Sequence, residues 1–139
     1  MTQLAELKQE YDNAIGELTK EGAMFELGSM QHSGYAYTIY KNAPDTMLPH
    51  LDSGRAHGDK EFLVYEDERY TYNEVYAAAD SLANALTTDF NIGTGDRVAI
   101  AMRNYPEWIV GFLGIAYTGA TIVPLNSWGQ KAELEYGLT

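Results

Sequence analysis

Groups able to do chemistry are few in this chain, and their spacing does not combine them. Cysteine is absent, which removes disulfides, thiolate metal ligands and a Cys nucleophile together. His32, His50 and His57 are scattered and lack a metal-ligand spacing such as His-Glu-x-x-His; they read as surface or capping histidines. No Gly-x-Ser-x-Gly elbow and no P-loop pattern occurs. Gly93-Thr-Gly95 invites a nucleotide reading, but it lacks a third glycine and precedes a strand pattern where the dinucleotide fingerprint follows one. It reads as a turn. Glu66, Asp67 and Glu68 lie in a turn pattern and read as solvated charges rather than a catalytic carboxylate pair. Tyr35, Tyr37 and Tyr40 read as packing rather than as a ligand platform. The residues themselves offer no catalytic group, no metal ligand and no cofactor-binding group.

The elements that would position any such group are clearer. Leu4, Leu7, Tyr11, Ala14, Ile15 and Leu18 recur at three- and four-residue steps, which predicts a helix over 3–21. Thr2 is its expected cap and Gly22 its stop. That face is expected to pack on the body of the protein; binding a partner is the other reading. Residues 23–45 are broken by Gly28, Ser29, Ser33 and Gly34 and read as mostly irregular, with Tyr35 to Tyr40 β-prone. A short helix fits 46–56, capped by Thr46, with Pro49 in its first turn and Gly58 ending it. Two β-rich runs, Glu61–Glu66 and Arg69–Tyr72, flank Asp67-Glu68 and predict a hairpin. Asp-Glu is an unusual turn pair, because neither favours positive φ as Gly does.

A second long helix is expected over 73–89. Its stripe is Val75, Ala78, Ala79, Leu82, Ala83 and Leu86, and Thr71 to Glu74 has capping-box spacing. Asn91 to Gly95 is a turn. Then come an apolar run Arg97–Met102, a helix opened by Asn104-Tyr105-Pro106 and stopped by Gly119, and a second apolar run Thr121–Leu125. Trp108, Ile109, Phe112, Leu113 and Ala116 form the helix's apolar face. The order strand, helix, strand, with nearly continuous apolar strands, predicts a parallel βαβ unit buried on both faces with a right-handed crossover. A last helix is expected within 129–138. The fold class is therefore α/β: one βαβ parallel unit, a β-hairpin and flanking helices. The expected division is 1–45 and 46–139.

Composition narrows the function classes. The chain has 139 residues, 45% of them hydrophobic, enough for a real core. A net charge of −11 argues against nucleic acid and against an anionic membrane surface. No run of about 18 apolar residues exists to span a membrane, and the N-terminus lacks an apolar signal core. The lack of cysteine suits a cytoplasmic location.

Four segments in order carry a resemblance. Tyr70-Thr-Tyr-Asn-Glu-Val75 resembles the first core motif of the acyl-adenylate-forming ligases, the acyl-CoA synthetase (AMP-dependent synthetase/ligase) superfamily, with Val75 in place of the usual Leu. Gly95 to Ile100 is similar to its Gly-Asp-Arg-Val-Ala-Ile stretch, and Asn104-Tyr-Pro-Glu107 to its Asn-x-x-Glu turn. Gly119 to Asn126 is similar to its Gly-Ala-x-x-x-Pro-Leu-Asn motif. The likeness runs from about Phe62 to Leu138 and is greatest to fatty-acyl-CoA ligases.

What the resemblance implies is a partial N-terminal subdomain of such a ligase. Tyr70, Thr71, Tyr72, Glu74, Gly119, Ala120, Pro124, Leu125 and Asn126 are then family core-motif residues with structural roles, with no catalytic, cofactor or metal residue among them. Pro124 suggests a strand edge or bulge, and Asn126 lies past a strand's C-terminal end, where α/β folds place ligand loops. The family's phosphate loop, ribose-binding Asp and catalytic Lys come later in such chains and have no counterpart here. A full-length parent would use ATP, Mg²⁺ and CoA to activate a carboxylic acid, and this piece alone is expected to be inactive. The rival readings are a stand-alone α/β binding or regulatory module and an assembly element with helix 3–21 as its contact. Strand edges left open are expected to make the chain self-associate.

Overall fold

The computed structural model describes residues 3–138. The chain divides into two compact units, Met1–Asp45 and Thr46–Thr139. The first holds helix α1 (Gln3–Thr19) and the antiparallel strands β1 (Leu27–His32) and β2 (Tyr35–Tyr40). The second holds α2 (Leu48–Asp52), a 3₁₀ turn Ser53–His57, β3 (Glu61–Tyr65), β4 (Glu68–Thr71), α3 (Tyr72–Phe90), β5 (Arg97–Ile100), α4 (Pro106–Thr118), β6 (Thr121–Pro124) and α5 (Lys131–Leu138).

In the first unit, α1 forms as its periodicity requires, but the expected cap Thr2 lies outside the described residues. Its apolar stripe is not buried: Leu4, Leu7, Tyr11, Ile15 and Leu18 are all exposed. Residues 27–40, expected to be mostly irregular, are a hairpin of two six-residue strands. Ser33 (φ 51°) and Gly34 (φ 83°) make its two-residue turn, both left-handed, as the twist of a hairpin favours. The Ser-Gly pair between β-prone runs was the signal for it. Tyr35, Tyr37 and Tyr40 are exposed on this hairpin rather than packed in a core, although Phe25 meets Tyr40 edge to face at 5.9 Å.

In the second unit, Met47 rather than Thr46 occupies the N-cap of α2, with no side-chain cap; Gly58 (φ 59°) ends the 3₁₀ turn. The hairpin β3–β4 turns one residue earlier than expected. Tyr65 pairs with Glu68, so the turn is Glu66-Asp67, and Glu66 takes φ 49°. The Arg69 guanidinium donates to the carbonyls of Glu66 and Glu68, both at 2.8 Å, and so holds that unfavourable turn.

Helices α3 and α4 build the core. Val75, Tyr76, Ala79 and Leu113 are buried together, with Phe62, Leu63, Tyr72, Ile109 and Phe112 packed against them. Tyr76 was not part of the expected stripe, while Ala78, which was, is exposed. The helices approach so closely that a Cβ on Gly114 would lie 2.9 Å from Leu82 Cδ2 and 3.1 Å from the Ala79 carbonyl. Strands β5 and β6 pair in parallel, Arg97 with Thr121 through Ile100 with Pro124. The expected burial on both faces is not met. Val98 and Ile100 turn inward while Arg97 and Ala99 are exposed, because only one face of this two-stranded sheet is covered.

Two stability predictions follow from this packing. Gly114→Ala overpacks the α3–α4 seam and should cost about 1–3 kcal/mol in urea unfolding. Glu66→Asn relieves a non-glycine residue of a left-handed conformation that asparagine tolerates, and should raise the urea midpoint by the equivalent of up to about 1 kcal/mol.

Candidate functional site

The first motif segment lies at the junction of β4 and α3. Thr71 (φ −77°, ψ 163°) is the N-cap of α3. Its hydroxyl oxygen accepts the Glu74 N–H at 3.2 Å, and the Glu74 carboxylate accepts the Thr71 N–H at 2.8 Å, so both halves of the expected capping box are present. The Thr71 N–H, then its hydroxyl, hold the Glu74 carboxyl below its ordinary value of 4.5. The Tyr70 hydroxyl donates to the Glu68 carboxylate, and that bond, more than desolvation, raises its pKa. Tyr72 stacks on Phe62 at 4.1 Å and 7° and meets the His57 ring at 4.7 Å.

The second segment spans the end of α4, β6 and the following loop. Gly119 adopts φ 79° and stops α4; a Cβ there would also lie 2.7 Å from Thr94 Oγ1. The Ala120 N–H donates to the Thr118 hydroxyl at 3.2 Å. Pro124 closes the ladder opposite Ile100, whose carbonyl accepts the Leu125 N–H at 2.9 Å. Asn126 Oδ1 accepts the Trp128 N–H at 3.1 Å, and its amide reaches Glu133 at 3.3 Å. Asn126 thereby ties the loop after β6 to α5. Each of the nine motif residues lies in one of these two clusters.

Two junctions were not legible from spacing. The Arg55 guanidinium binds Asp80 through both terminal nitrogens, at 2.9 and 2.6 Å, and Asp52 through Nε at 2.9 Å. It lies over the rings of Tyr76 and Tyr117, 4.6 and 5.1 Å from their centroids. The bond to Asp80 raises the Arg55 pKa, and the bond to Arg55 lowers that of Asp52. Burial pushes Tyr117 up to about 12; its hydroxyl faces Asp52 without reaching hydrogen-bond geometry. Arg55 and Asp80 are 25 residues apart, so no local pattern announces them. The second junction joins the loops after β5 and β6: the Arg103 guanidinium lies 3.8 Å above the Trp128 ring.

An open groove of about 470 Å³ is walled by Leu63, Tyr65, Asn104, Tyr105, Pro106 and Trp108. Its lining is apolar apart from one amide and the tyrosine hydroxyls. The Gly93-Thr-Gly95 turn does not fit a phosphate. The Gly93 N–H is already bound by the Asp96 carboxylate at 2.9 Å, so an acidic group stands where a phosphate would have to sit. No group of three His, Cys, Asp or Glu gathers to hold a metal among the described residues.

Thr71→Ala should destabilise the chain by about 1 kcal/mol in urea unfolding. The Glu74 pKa is depressed by folding, so its contribution is present above pH 4.5 and lost as pH falls below that value through the folded pKa. Glu74→Gln should therefore flatten that part of the acid-side fall in urea midpoint, measured from pH 5 down to about pH 3.

Residues 52–139 match the family model described as AMP-binding enzyme. The chain is 33% identical over 84 residues to 4-hydroxybutyrate–CoA ligase 2 of Metallosphaera sedula, covering 60% of this chain and 15% of that one. It is 35% identical over 78 residues to a medium/long-chain-fatty-acid–CoA/3-oxocholest-4-en-26-oate–CoA ligase of Mycobacterium marinum, covering 56% and 14%. The solved structure of O-succinylbenzoate coenzyme A synthetase from Bacillus subtilis, in complex with ATP and magnesium ion, matches with a TM-score of 0.58 and 25% identity, over 63% of this chain and 24% of that one. The chain thus spans about a seventh of the length of these two relatives. With the family model covering the capping-box junction, the βαβ unit and the Asn126 loop alike, the chain belongs to the AMP-binding enzyme family.

Proposed function

We propose that the chain is the N-terminal part of a carboxylic acid–CoA ligase that acts on fatty acids in the cytoplasm. In the whole protein, a fatty-acid carboxylate oxygen attacks the α-phosphorus of ATP with Mg²⁺ present, giving acyl-adenylate and pyrophosphate. The thiol of CoA then displaces AMP at the acyl carbon. This chain's contribution is architectural, and the groups that touch ATP come from elsewhere in the polypeptide. The observation that carries the reading is the four motif segments in family order within residues 52–139. The Mycobacterium marinum relative, named for medium- and long-chain fatty acids, favours the substrate class. We also propose that the chain by itself self-associates.

The test is pyrophosphate release from ATP and Mg²⁺ with a panel of carboxylic acids. The chain alone should release none. A polypeptide continuing past residue 139 should release pyrophosphate with fatty acids and, on adding CoA, form acyl-CoA. Release by the chain alone would sink the architectural role, and a preference for aryl acids in the longer polypeptide would overturn the fatty-acid assignment.

A further inference from the structure

We propose that β2 is a pairing edge for a second copy of this chain, with two copies joined antiparallel about Thr38. The proposal is independent of the ligase reading. Its first support is burial. None of the described residues 3–45 is buried, and β1–β2 is a two-stranded sheet with both edges open. A two-stranded hairpin is marginal in water, whereas joining two hairpins makes a sheet of four strands.

The second support is the absence of protection. Edge strands are commonly blunted by charge, proline or a bulge. Strand β3 has Glu61 and a register shift, β4 has Glu68 and Arg69, β5 has Arg97 and β6 has Pro124. Strand β1, Leu-Gly-Ser-Met-Gln-His, also lacks Asp, Glu, Lys, Arg and Pro, but it carries Gly28 and few β-prone residues, whereas β2 is built largely of Tyr, Thr and Ile. Strand β2, Tyr-Ala-Tyr-Thr-Ile-Tyr, has no charge, proline or bulge. The chain's net charge is −11, so most of its surface repels a second copy; β2 itself adds no repulsion.

The third support is register. The Lys41 N–H donates to the Glu26 carbonyl at 2.8 Å. Alternation along an antiparallel pair then points the N–H and C=O of Thr38 and Ala36, and the N–H of Tyr40, away from β1. A two-fold axis at Thr38 makes this edge complementary to itself. Thr38 exchanges both bonds with its counterpart, and Ala36 pairs with Tyr40 of the other copy. Tyr37 then lies beside Ile39 of the other copy on one face, an aromatic and β-branched pair.

Sedimentation velocity of the 139-residue chain over a wide concentration range tests this. A monomer–dimer equilibrium is expected. Thr38→Lys places two like charges opposite each other and should raise the dimer Kd at least tenfold, while Asn84→Lys, exposed on α3, makes the same change of charge away from β2 and should leave it unchanged. Thr38→Pro removes only an outward N–H and should act like Thr38→Lys; circular dichroism checks that it folds, and the lysine variant decides if it does not. A wild-type chain that stays monomeric overturns the proposal. So does a dimer that survives Thr38→Lys, or one lost equally with Asn84→Lys.

Discussion

The approach of α3 to α4 is the constraint on which the second unit depends. Ala79 is fully buried, and Gly114 sits where any side chain would meet the α3 backbone and Leu82. One helix must present a methyl group and the other nothing. Given that closeness, Val75, Tyr76 and Leu113 make one contiguous core, and Leu51, Phe62 and Tyr72 dock on its rim. The hairpin β3–β4 is otherwise a short, acidic, two-stranded ribbon with a left-handed Glu66, too weak to stand by itself. The capping box then fixes the angle at which β4 enters α3, so the rings of Tyr72 and Tyr76 land on the core rather than in water.

The polar side of this packing is settled by one cation. Arg55 gathers two carboxylates from separate helices and lies against two tyrosine rings. In a chain with nine Lys and Arg against twenty Asp and Glu, a planar cation with five donors is a scarce resource. Committing it to Asp52 and Asp80 joins α2 to α3 and leaves Arg55 unavailable as a ligand group. Salt should weaken this junction little at the ring contacts and more at the half-exposed carboxylates.

Legibility in the sequence followed the range of the interaction. The capping box, the Gly119 stop and the Pro106 start are local, set by residues within about one helical turn, and each was readable from spacing. The βαβ order was readable because apolar runs and a helical face alternate there. Tyr76 was missed because its burial depends on Leu51, 25 residues away, whose carbonyl accepts its hydroxyl. The β1–β2 hairpin was missed because Gly28 and Ser29 obscured a strand whose turn, Ser33-Gly34, is the better signal. Burial on both faces of β5–β6 was over-read from apolar runs, which report a demand for cover and not who supplies it.

Most polar side-chain atoms of the motif residues are committed within the chain. Thr71 and Glu74 satisfy each other, Tyr70 is bound to Glu68, and Asn126 uses both amide ends within its own loop and α5. A ligand at any of these atoms would first have to break an internal bond. What the framework does deliver is a shared end of two parallel strands. The loops that leave Ile100 and Pro124 emerge on the same side, and Arg103 over Trp128 holds them together there. That is the end at which α/β sheets bind ligands. The parallel pairing of β5 with β6 and the Arg103–Trp128 contact therefore fix the positions of the two loops relative to each other.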